Sequence, residues 1–309
     1  MADADIEWTS TRVPMPDGGV IEVPPVNPAE AAAVAESAEF VRPGTLLDSM
    51  PSESFRQVVD VTRALIERRF EKVQSLTDVS SDDVNINPFL MLAMAPAYNI
   101  FSPFEAAEYV QNSKLPHGDA TAFGKFVEDK IFPIFGAKQP QEKNKKLDSK
   151  KANLWSPIDI ELTIDGIRFL LTLKAGPWTM NQDHAHNMIR NFPAIHAQTG
   201  SDIIIGITYG TADSLNNKPA MVSKGTGDYV HTLVGRELWE FVTGVKDAHK
   251  EVFRAIRQAQ REFALAHGGK TFYEHVIEAR LSLSESFRDA FGLVGADDDM
   301  WEHIFNGSF

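Results

Sequence analysis

The chain has 309 residues, 43% hydrophobic and 24% charged; this is the profile of one large or two small globular domains and excludes a disordered, collagenous or low-complexity polypeptide. It has no cysteine, which rules out disulfides, thiolate nucleophiles and Cys-based zinc sites. Its 43 acidic residues against 30 basic ones leave a net charge of -13, which on average disfavours nucleic-acid binding, because phosphate contacts need Lys and Arg.

The N-terminus, MADADIEWTS, is acidic and polar, unlike a secretory leader. No apolar run approaches the ~18 residues of a membrane helix, and a cytoplasmic protein is expected. Residues 1–45 hold six prolines (Pro14, Pro16, Pro24, Pro25, Pro28 and Pro43), which do not fit helices or central strands. They read as an extended arm with one short Ala-rich helix near 29–39. Phe55, Val58, Val59, Thr62, Leu65, Ile66 and Phe70 recur at three and four, predicting an amphipathic helix over 52–76. Asn87-Pro88 and Ser102-Pro103 each place a capping side chain before a first-turn proline, opening helices at 88 and over 103–112. A further helix over 119–132 ends at Pro133. The period then changes. Ile158–Ile164 and Ile167–Lys174 read as strands joined by Asp165-Gly166, a strong two-residue hairpin signal. A helix over 182–198 comes next, then the apolar strand Asp202–Tyr209 and a strand over 228–234. Helices return over 236–243, 246–266 and 270–292. This order predicts an α/β fold, a mixed β-sheet core flanked by helices with helical N- and C-terminal additions. The expected regions are 1–45, 46–115, 116–245 and 246–309.

Several apparent motifs fail. Gly268-Gly269-Lys270-Thr271 follows a helix and lacks the first glycine of a phosphate loop, since Ala264 stands there. Gly225-Thr226-Gly227 lacks the third glycine of a dinucleotide fingerprint. His184 and His186 read as helix-start residues, and Asp297-Asp298-Asp299 lacks the Gly and Glu of a calcium loop.

The hairpin is different. If Asp165-Gly166 form the turn, Ile164 faces Ile167 and Asp159 falls opposite Thr172, with Lys174 one diagonal step away on the same face. Asp159, Glu161, Thr172 and Lys174 then point one way. Ile158, Ile160, Leu162, Ile164, Ile167, Phe169, Leu171 and Leu173 form an apolar face. A carboxylate so placed can hold Mg²⁺ beside a scissile phosphate, and a lysine near the attacking water can stabilise developing negative charge. A surface Asp–Lys pair worth under ~1 kcal/mol satisfies the same spacing, so spacing alone leaves both readings open.

Asp159-Ile160-Glu161 followed by Thr172-Leu173-Lys174-Ala175-Gly176-Pro177-Trp178-Thr179-Met180-Asn181 resembles the PD-(D/E)xK nuclease motif. The variant is that of type II restriction endonucleases with a K-S/A-G-P-x-x-x-N ending. Phe123-Gly124-Lys125-Phe126-Val127-Glu128 resembles the helix that precedes the hairpin in such enzymes, Ile203–Gly210 their next central strand, and Gly235–Gly244 their G-x-x-F-W-x-F-x-x-G segment, with Leu238 in place of the first Phe. The resemblance spans roughly 120–245 and implies a restriction-endonuclease-like core. It implies Asp159 and Glu128 as ligands of Mg²⁺, with Mn²⁺ as a substitute, Glu161 as an auxiliary metal carboxylate, and Lys174 as the stabiliser of the attacking water. The family usually carries Glu, Asp or Gln two residues before the lysine; Thr172 stands there instead, and its hydroxyl suits a water or phosphate better than a metal. Trp239 and Phe241 read as core. Asn181 reads as a helix cap or a DNA contact.

The resemblance further implies a homodimer cutting double-stranded DNA at a specific sequence by phosphodiester hydrolysis, paired with a protective methyltransferase, with no nucleotide cofactor and no membrane. A nuclease of another role, or a DNA-binding module that keeps the fold without activity, is the alternative. From Lys138 to Lys151 the acidic average is reversed, with six lysines against Glu142 and Asp148. Lys143, Lys145 and Lys146 in that segment are the expected phosphate contacts, a solvated loop being the blander reading.

Overall fold

A computed structural model describes residues 10–15, 17–27, 40–84, 87–116, 119–144, 146, 148–291, 302 and 306. The helix expected near 29–39, the acidic turn at 297–299 and Lys145 lie outside these residues. The chain divides into two compact units, one of residues 1–55 and 121–253, the other of residues 56–120 and 254–309.

The first unit is built on a sheet. Among the described residues β1 (Thr11–Pro14) and β2 (Val20–Val23) form an antiparallel pair, and β3 (Ile160–Ile164), β4 (Ile167–Lys174), β5 (Asp202–Ile207) and β6 (Val230–Val234) form a mixed sheet in that order. β3 and β4 are antiparallel with Ile164 opposite Ile167, the expected register. Asp165 and Gly166 take φ of 49° and 82°, the left-handed pair that this tight turn requires. β4, β5 and β6 run parallel; α6 (Gln182–Thr199) joins β4 to β5, and α7 (Lys218–Thr226), absent from the sequence expectation, joins β5 to β6.

Both faces of this sheet are covered. On one, Leu170, Ile203, Ile205 and Ile207 share a buried cluster with Met188, Ile189 and Phe192 of α6, Met221 of α7, and Val13 and Val23 of the first hairpin. The stretch expected as an extended arm is corrected here. Val13, Val23 and Val26 are core residues, and Pro14, Pro24 and Pro25 stand at or just beyond strand ends, where a missing N–H costs no ladder bond. On the other face Phe169 meets Phe241 of α8 (Arg236–Thr243) edge-on at 5.3 Å, and Phe132 meets Trp239 at 5.1 Å. Gly206 permits this approach, since a Cβ there would lie 2.8 Å from Leu238. The polar face of the hairpin is therefore not an open surface: Leu170 and Thr172 are fully buried.

Upstream of the sheet, α4 (Asp119–Phe126) does not run on to Pro133. It widens into a π-helical turn at Val127–Ile131 and then tightens to a 3₁₀ turn at Phe132–Phe135. The segment Gln141–Lys143 is another 3₁₀ turn, and α5 (Ser149–Leu154) precedes the hairpin.

The second unit is helical. It contains most of α1 (Ser52–Gln74) and of α9 (Ala248–Ala266), together with α2 (Pro88–Tyr98), α3 (Pro103–Lys114) and α10 (Phe272–Phe291). Its core includes Leu76, Val84, Ala107, Val110, Leu283 and Phe287. Asn87 and Ser102 cap their helices by accepting from the N–H groups of Leu90 and Glu105, as their sequence positions predict.

Candidate active site

The hairpin brings its chemistry to the open end of β3 and β4. Asp159 lies one residue before β3, and its N–H donates to Leu171 O at 2.8 Å. Its Oδ2 accepts the Leu173 N–H at 2.7 Å and the Thr172 hydroxyl at 3.4 Å. These donors fix the carboxylate and leave Oδ1 turned toward Lys143, whose Nζ is 3.7 Å away. Thr172 thus braces Asp159 from inside the sheet. Lys174 ends β4 half-buried, with Nζ donating to Leu173 O at 3.1 Å. Burial lowers its pKa; the negative charges of Asp159 and Glu128 oppose that shift and Lys143 adds to it.

Glu128 comes from the π-helical turn and is 12% exposed. Burial raises its pKa, helped by the charge of Asp159, while the hydrogen bond that Lys125 donates at 2.7 Å opposes the rise. A π turn inserts one extra residue and rotates the helical face downstream of it. The side chains on its two sides do not keep one helical phase: Phe126, Val127 and Ile131 are buried, whereas Phe123 is 45% exposed.

Glu161 is placed otherwise. Arg168 donates to its Oε2 through Nε at 2.9 Å and also through Nη2, and Lys138 lies 3.3 Å from its Oε1. Its carboxylate is closed by two cations and does not join Asp159 and Glu128. Asn181 caps α6, its Oδ1 accepting the His184 N–H at 2.9 Å. Lys146 is exposed.

Three residues near these groups escaped the sequence reading. Lys125 stands one helical turn before Glu128, a spacing legible in the sequence. Arg168 stands diagonally across the hairpin from Glu161, also legible from the register. Glu142 meets Arg168 at 3.2 Å, which no local pattern announces.

Asp159 and Glu128 offer hard oxygen donors. Among the described residues no three His, Asp or Glu side chains gather to hold a metal ion by themselves. Mg²⁺ commonly takes one or two carboxylates and fills its shell with water and phosphate oxygens, so this donor set fits it once a phosphate is present. Histidine-rich zinc chemistry has no counterpart at these residues.

A mixed sheet flanked by helices, with acids and a lysine at the open end of a hairpin, is a restriction-endonuclease-like fold. A family model for the type II restriction endonuclease EcoO109I matches residues 54–264. That is more than half of the chain, and the chain belongs to this family of nucleases, hydrolases whose substrate is DNA. The match takes in Glu128, Asp159, Thr172 and Lys174 and extends on both sides of the stretch whose motifs carry the resemblance. No curated protein matches the chain. Among the described residues no helix is long and apolar enough to cross a membrane.

Proposed function

We propose that the chain is a Mg²⁺-dependent, site-specific endonuclease that cuts both strands of DNA as a homodimer. The observation that carries this reading is the convergence of Asp159, Glu128 and Lys174 from three separate segments, each tied electrostatically to the others. Bound Mg²⁺ would acidify a water and screen phosphate charge. Asp159 offers Oδ1 as its ligand because Oδ2 is held by Leu173 and Thr172, and Glu128 offers the second carboxylate. Lys174, drawn out of water, orients the attacking water or neutralises the charge that grows on the phosphorane oxygens. Its lowered pKa brings proton exchange with that water closer to neutral pH.

Two-fold symmetry matches a palindromic site, each subunit cutting one strand. The helical unit exposes apolar side chains that a second copy could cover, among them Leu90, Leu92 and Tyr98 of α2. Lys143, Lys146 and Asn181 are the proposed DNA contacts, together with Lys145 of the same lysine-rich segment.

Digestion of plasmid DNA tests this directly. Discrete fragments with Mg²⁺ and none with EDTA are expected. A smear would remove site specificity, and intact plasmid with both Mg²⁺ and Mn²⁺ would remove the enzyme. Sedimentation at micromolar protein should give twice the chain mass.

A further inference from the structure

Lys143 reaches Asp159 by an indirect route. It ends the 3₁₀ turn Gln141–Lys143, and the residue before it, Glu142, is gripped by Arg168 at 3.2 to 3.3 Å. Arg168 extends from β4, also binds Glu161 of β3, and lies 5.4 Å from the ring of buried Trp155. Glu161 in turn holds Lys138, and the main chains of these two residues exchange hydrogen bonds of 2.7 and 3.0 Å. The segment is docked against the hairpin at both Lys138 and Glu142, so the adjoining Lys143 is presented to Asp159 with its side chain 19% exposed.

The contact itself is loose. At 3.7 Å it is a charge pair and not a hydrogen bond, and Asp159 does not hold the lysine in place; the clamp behind it does. A cation held this way can leave the carboxylate without disturbing the fold. A divalent cation and this ammonium compete for the same Oδ1, and at close range they repel each other. Lys125 on Glu128 is a different case, being 60% exposed and only one helical turn away in its own segment.

We infer that Lys143 is a displaceable counter-ion of the active site. It neutralises Asp159 in the DNA-free enzyme, gives the carboxylate up to the divalent cation, and then grips a DNA phosphate, its reach fixed by the Glu142–Arg168–Glu161 clamp. This rests on the reading of Asp159 and Glu128 as the metal site. Metal and DNA binding are then coupled: a phosphate gives Lys143 a new anion and thereby clears Asp159, and by linkage the metal raises affinity for DNA by the same factor. Arg168 and Glu142 are positioning residues, and Glu161 belongs to the clamp.

The test is Mn²⁺ titrated calorimetrically into the DNA-free full chain. Lys143→Met should bind Mn²⁺ on the order of five- to fiftyfold more tightly than wild type, and Glu142→Gln should shift affinity in the same direction by about two- to fivefold. Asp159→Asn should lose at least about tenfold. In a Lys174→Ala background, which keeps the DNA whole, Lys143→Met should lower the salt slope of DNA binding by about one in Mg²⁺ and by less without metal. Wild-type or weaker Mn²⁺ affinity in Lys143→Met, with the Asp159→Asn loss intact, overturns the counter-ion role and leaves the metal site standing. Unchanged affinity in Asp159→Asn overturns both.

Discussion

Two parts of one hairpin face carry carboxylates that meet opposite fates. Midway along, Glu161 is met by Arg168 from the paired strand and by Lys138 from the docked segment, and it is almost wholly buried. At the open end Asp159 faces Thr172, a hydroxyl in place of a cation, and the charges that approach it come from Glu128, Lys143 and Lys174. A buried carboxylate whose oxygens are already bound to cations is a structural element. One oriented through a single oxygen keeps the other for chemistry. Sharing a face therefore does not make two acids equivalent; the partner across the strand separates them.

The contrast is broken most directly at Asp159 and Lys174. Asp159→Asn and Lys174→Ala should each lower single-turnover cleavage on the order of 10³-fold, with helical content by circular dichroism unchanged; a loss under tenfold in either would erase the distinction. Glu128→Gln should cost about 10²-fold in the same assay. Its burial also gives a pH signature. The folded state holds the Glu128 proton at pH values where the unfolded chain has released it, so this group favours folding at low pH and loses that contribution as pH rises through its raised pKa. Glu128→Gln should thus raise Tm at neutral pH and not at pH ~3.5, below both pKa values. Wild-type cleavage should decline on acidification at a higher pH than an ordinary glutamate dictates. A lower neutral-pH Tm in the variant would contradict the burial.

Arg168→Met sharpens the comparison from the structural side. It leaves Glu161 without its main cation, and denaturant titration should show a loss of about 3 kcal/mol. Glu161→Gln is the mildest change, since an amide oxygen still accepts from Arg168. Stability should fall by about 1 kcal/mol and cleavage per folded molecule should stay within about threefold of wild type. A loss there as deep as that of Asp159→Asn would return Glu161 to the metal site.

Much of the fold was legible locally. The helix at Arg236–Thr243 has the bounds that its periodicity predicts, and the Asp165-Gly166 turn and the Asn181 cap form as their residue types require. The valines of β1 and β2 were hidden by the prolines around them, because proline marks where strands end as well as where they are absent. The π turn that carries Glu128 was not legible, since Val127–Ile131 has no residue that forbids an ordinary helix. Arg168 was within reach of the register, but its second partner Glu142 was not.

By itself the sequence determined that Asp159, Thr172 and Lys174 share one side of a hairpin, because strand alternation and a left-handed two-residue turn are properties of neighbouring residues. Only the tertiary structure decided which charges meet them there. Electrostatic pairing depends on separation and burial, and both were set by how a π-helical turn and a docked loop pack against the sheet, through contacts that no spacing along the chain encodes.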